Sequence, residues 1–137
     1  MGVLVWGTLL ASTLKAETAL ASGGYWQGVA SQVNAELHQA LILYQGGDAE
    51  GARRQVTQAY FGAFEGSKME AAMRIEQGAK YNYLVERQFG ALRKAIKQGV
   101  GIDEVQGDIE GLMASLVRDA KVLDAAQIPP EVFQTGQ

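Results

Sequence analysis

The stretch Tyr25-Trp26-Gln27-Gly28-Val29-Ala30-Ser31-Gln32-Val33-Asn34-Ala35-Glu36-Leu37-His38-Gln39-Ala40-Leu41-Ile42-Leu43-Tyr44 decides the fold class. Trp26, Val29, Val33, Leu37, Ala40 and Tyr44 recur at spacings of three and four, which places them on one stripe of an α-helix. Gln45-Gly46-Gly47-Asp48 ends the run: the glycines suit a helix C-terminus and Asp48 suits the N-cap of the next helix. That second helix is expected to reach Glu65, with Ala49, Ala52, Val56, Ala59, Tyr60 and Ala63 on its inner face. Gly66-Ser67 forms the next corner, where Ser67 and Glu70 have the S-x-x-E spacing of a capping box.

A long third helix is predicted from Lys68 to Gln98, with Ala71, Ile75, Gly78, Val85, Phe89, Leu92 and Ile96 as its stripe. Gly78 and Gly90 weaken it and mark places for a bend or a close contact. Gly99-Val100-Gly101 stops it, and Asp103 is expected to cap a fourth helix that turns Val105, Ile109, Leu112, Leu116, Ala120 and Leu123 inward. Ile128-Pro129-Pro130 ends the domain. No stretch alternates as a strand does. The pattern predicts an all-α, antiparallel up-down four-helix bundle over residues 22–128, followed by a linker or C-terminal tail over 129–137.

Composition narrows the chemistry. At 137 residues, 47% hydrophobic and 20% charged, the chain has the make-up of one globular domain. The net charge of −3 and the absence of a Lys/Arg cluster argue against a nucleic-acid partner. There is no cysteine, so disulfides, thiolate metal sites and cysteine nucleophiles are excluded. The single histidine, His38, falls about 140° from the centre of its stripe and is expected to face solvent. A metal, if bound, must be held largely by carboxylates, which favours hard cations or iron over zinc. No phosphate loop and no nucleophile elbow is present, so the chain carries no enzyme signature.

Residues 1–21 read as a signal peptide. The apolar run from Gly2 to Leu14 is short for a membrane span, and Ala19-Leu20-Ala21 has the small-x-small form of a cleavage site. No Lys or Arg precedes the run, which leaves an uncleaved anchor, or a buried N-terminal helix of a cytosolic protein, as alternatives. The signal peptide and the anchor imply export, to the periplasm or to the outer side of the inner membrane.

Two carboxylate pairs are candidates for metal ligation. Glu65 and Glu70 flank the corner that also holds Tyr60, Phe61, Phe64 and Met69. In an up-down bundle Tyr25, Trp26, Asp119 and Asp124 come to the same end. The structural alternative has Glu70 in the capping box, Glu65 solvated and the rings in the core. Glu36 and Glu86 each lie about 60° from the middle of an apolar stripe and near mid-helix, so both are within reach of the bundle interior. Their alternative is salt bridging to Arg87 or Arg93. The Glu-x-x-His pattern of di-iron bundles is missing, which argues against a ferritin-like centre.

The ordered set Tyr44 with Gly47-Asp48, Ala59-Tyr60-Phe61, Phe64-Glu65, Met69-Glu70-Ala71 and Leu84-Val85-Glu86-Arg87-Gln88-Phe89 resembles the extracytoplasmic N-terminal region of bacterial high-affinity iron permeases. The resemblance covers roughly residues 25–97. It implies an accessory domain of iron uptake that binds or relays iron, as Fe2+ or Fe3+, or docks a partner. The partner implied is the permease membrane domain or a periplasmic iron-binding protein. Glu65, Glu70 and Glu86 are the acids expected to contact metal, with Glu36 as a fourth. The Arg-Glu-Gly-x-Glu motif of the permease proper is absent from this sequence, so binding or docking is implied rather than conduction. The alternative is a metal-free interaction module of the periplasm that presents the Tyr60–Phe64 aromatics, with Phe61 off the inner stripe.

Overall fold

The computed structural model describes residues 23–133, so the expected signal peptide and the end of the tail lie outside the described residues. Within them the chain is all-helical, with no strand. Five α-helices follow in order: α1 (Tyr25–Gln45), α2 (Ala49–Gln58), α3 (Met69–Gln77), α4 (Ala79–Lys97) and α5 (Ile102–Ala125). A π-helical segment, Ala59–Glu65, continues α2, and a 3-10 turn spans Pro130–Phe133.

Helix α1 packs most extensively against α5 and α2, and α4 lies against α2, α3 and α5. All six stripe residues of α1 are buried, as are the six of α5. Phe64, Met69, Met73, Phe89 and Ile96 complete one continuous core. Hydrogen bonds register α1 against α5 from end to end. Asp124 accepts from the Trp26 and Gln27 amides at 2.9 and 3.0 Å, Asn34 Nδ2 donates to the Met113 carbonyl at 3.2 Å, and the Tyr44 hydroxyl donates to the Val100 carbonyl. Trp26 Nε1 donates to the Ile128 carbonyl at 2.7 Å and fixes the end of the domain onto the core.

The start of α1 shows how a distant residue completes a helix. The first amides of a helix have no partner inside it, and Gly24 at the N-cap has no side chain to supply one. Asp124 supplies both acceptors from 97 and 98 positions away. A Cβ on Gly24 would lie 2.1 Å from that carboxylate, so the glycine is what lets it approach. Asp48 caps α2 as expected, accepting from the Gly51 amide at 2.8 Å.

Three local expectations are corrected. The third helix is two helices: Gly78, at φ 92° and ψ 155°, ends α3 and starts α4 in a conformation essentially confined to glycine. The break rotates α3 relative to the predicted stripe, so Ile75 is 61% exposed while Met69, Ala72 and Met73 are buried. Gly90 causes no such break, since α4 runs through it. The capping box is not formed either: Lys68, at φ 66°, precedes α3 and no side chain caps it. Asp103 does not cap α5, whose N-cap is Gly101; it sits in the first turn, where its charge complements the helix dipole.

Candidate functional site

The aromatic stretch Ala59-Tyr60-Phe61-Gly62-Ala63-Phe64-Glu65 is the π-helical segment. A π turn widens the helix, and such turns are rare and frequent at functional sites. It closes through the Gly66 amide donating to the Phe61 carbonyl at 3.1 Å, five residues back. A Cβ on Gly66 would lie 2.2 Å from the Gly62 carbonyl oxygen, so the closure needs glycine there. The segment presents Phe64 to the core and Tyr60 to its edge. Tyr60 and Phe64 pack against Phe89 of α4 at 5.3 and 5.2 Å between ring centroids.

Three of the four expected ligands act electrostatically on Tyr60. Burial first, and then the negative charges of Glu86, Glu65 and Glu70, push its hydroxyl above its ordinary range, with Arg93 opposing. Arg93 lies over the Tyr60 ring at 6.0 Å. The three glutamates come from three elements: the end of the π segment, the first turn of α3 and the middle of α4.

Glu70 and Glu86 are the intimate pair. Burial raises the Glu86 carboxyl above its ordinary value; the next causes are a hydrogen bond with Glu70 and the charge of that carboxylate. Asn82 Nδ2 donates to Glu86 Oε1 at 3.1 Å, and Arg74 donates to Glu70 Oε1. The Glu86 anion is thereby disfavoured, and a cation beside the two acids would offset that. Asn82, only 1% exposed, keeps Oδ1 buried without a hydrogen-bond partner beside the pair. The local donor set is therefore oxygen, from two carboxyl groups and one amide, which suits a hard cation or iron.

Glu36, on α1, is not among the charges acting on Tyr60 or Glu86. Burial raises its carboxyl, and its Oε2 is buried with no partner. The expected salt bridges are also absent among the described residues: Arg87 lies over Tyr83 at 5.9 Å and Arg93 over Tyr60. The ion pairs that form are Arg53 with Glu50 and Arg74 with Glu70. His38 is exposed, as its wheel position predicts.

The expected single patch of acids at one bundle end divides into separate groups. Asp124 caps α1, while Asp119 is bound by Tyr81 and Gln77. Among the described residues no three acidic or histidine side chains converge so as to hold a metal. Sequence reasoning missed Asn82, whose place between α4 positions on the core stripe gave only a weak signal, and it missed the π turn altogether. Compared with protein-family models, curated proteins and solved structures, the chain matches none.

Proposed function

We propose that this chain is an extracytoplasmic accessory domain of an iron-uptake system, built as an antiparallel up-down bundle. It binds or relays iron beside a permease membrane domain or a periplasmic iron-binding protein. The observation that supports it best is the Glu70–Glu86 pair, two acids on different helices, of which Glu86 is disfavoured as an anion by burial and then by Glu70. A cation beside the two acids offsets what disfavours the Glu86 anion. Glu65 adds negative charge to the same region, acting together with Glu70 and Glu86 on Tyr60. Glu36, whose buried Oε2 lacks a partner, is the fourth acid of this reading. Iron is cargo here; the domain does not itself catalyse a reaction.

Calorimetric titration with Fe(II) under nitrogen, with Mn(II) as control, tests the site. Saturable binding that disappears in Glu70→Gln/Glu86→Gln supports it; binding that survives the double change removes these residues from the site. A second reading follows from Phe61, which is 54% exposed and packs edge-on against Tyr60 at 4.7 Å. It makes the π segment a docking surface for a partner protein of the periplasm, without metal. In that case Phe61→Ala weakens association with the permease domain while Fe(II) titration gives no saturable heat.

A further inference from the structure

We propose that Asp119, Gln77, Tyr81 and Ser115 form a second site, for a hard, oxygen-coordinated cation, at the break between α3 and α4. Asp119 projects from α5 and is 3% exposed. Its Oδ1 accepts from the Tyr81 hydroxyl at 2.7 Å and from Gln77 Nε2 at 3.0 Å. Its Oδ2 is buried with no partner, and so is Gln77 Oε1. Two donors thus serve one oxygen while two neighbouring oxygens face none. Flipping the Gln77 amide does not help, because it would set Oε1 against Asp119 Oδ1 in place of an N–H.

Buried polar atoms are almost always satisfied by protein, water or an ion. One water would supply two donors, but it would leave the carboxylate charge in the interior unbalanced. The ion pairs of the described residues do not include Asp119. Gln77 is the last residue of α3, so the negative end of that helix dipole adds to the carboxylate. Tyr81 also engages Ser115, and burial followed by its bond to Asp119 raises its hydroxyl. Carboxylate, amide, phenol and hydroxyl oxygens are the donors of calcium and of the alkali cations, with nothing for softer metals. None of these residues belongs to the Glu70–Glu86 pair.

Thermal melting of the full chain in Tris buffer, titrated with CaCl2 or with NaCl and referenced to choline chloride at equal ionic strength, tests the site. The expected result is a saturable rise in Tm with one of the two cations, about 5 °C or more at tenfold excess over Kd. For calcium the half-point is expected on the order of 10⁻⁴–10⁻³ M, as for weak extracellular modules. The rise persists in Glu70→Gln/Glu86→Gln, which separates this site from the proposed iron site, and it is lost in Asp119→Asn. The asparagine amide can donate to Gln77 Oε1, so that variant is expected to fold at least as stably as the parent without added cation. Gln77→Met, which removes one oxygen at similar volume, raises the cation half-point several-fold. No rise above choline, or an equal rise in Asp119→Asn, overturns the proposal and leaves a buried water only.

Discussion

At the scale of single residues, Glu86 yields a pH prediction. Its folded-state carboxyl titrates above the ordinary 4.5, because burial and then Glu70 disfavour its anion. The folded chain therefore holds more protons than the unfolded one from about that pH upward, and stability falls as pH rises until the folded pKa is passed. Below 4.5 the penalty is absent, and it grows as pH rises towards the folded pKa. In melts across this range with chelator, Glu86→Gln gains on the parent as pH rises, and a difference flat with pH contradicts the assignment. Gly66 gives a steric prediction. Gly66→Ala forces a Cβ into the Gly62 carbonyl and is expected to cost about 1–3 kcal/mol in denaturant unfolding; a neutral result would mean that the π turn relaxes freely. The sequence marked Glu65, Glu70 and Glu86 as acids of interest, and all three act on Tyr60. It could not show that Arg74 would bind Glu70 or that Asn82 would meet Glu86, because helical wheels fix direction but not the rotation between two packed helices.

At the scale of elements, the helices with uninterrupted stripes were legible and the irregular ones were not. Trp26 through Tyr44 and Val105 through Leu123 are buried where their spacing puts them. The third helix is not a single element because Gly78, legible in the sequence as a mild weakness or a bend, takes a positive φ that ends the helix outright. Gly78→Ala meets no neighbouring atom, so any loss comes from the backbone alone and is expected at about 1–3 kcal/mol. An unchanged unfolding midpoint would show that α3 and α4 merge without strain. The π turn was invisible for a different reason: a wider turn leaves no distinct residue signature, and the apolar spacing of Ala59, Ala63 and Phe64 reads equally well as α-helix. Helix α1 offers a third test. Asp124→Ala removes the acceptors for Trp26 and Gln27 and should cost about 1–2 kcal/mol, in the range of lost N-caps. A change within error would mean that water replaces that cap.

At the scale of the molecule, one core is wrapped by helices that leave three polar groups between them: Asp124 at the start of α1, Asp119 at the α3–α4 break and the glutamates around Tyr60. With the third helix taken as straight, the sequence puts Glu65, Glu70, Asp119 and Asp124 at one end and Glu86 near mid-helix. Dividing that helix at Gly78 separates Asp119, held by Gln77 and Tyr81, from Glu70 on the earlier turn of α3. The central claim is that a cation beside Glu70 and Glu86 takes the place of the proton that burial and Glu70 favour on Glu86. The most direct test is anaerobic Fe(II) titration in two buffers of different ionisation enthalpy, at pH values just above 4.5 and near neutrality. The account predicts that binding at the lower pH releases protons, that affinity rises with pH, and that both effects vanish in Glu70→Gln/Glu86→Gln. Fe(II) binding of equal strength at both pH values, unaltered by the double substitution, would contradict it.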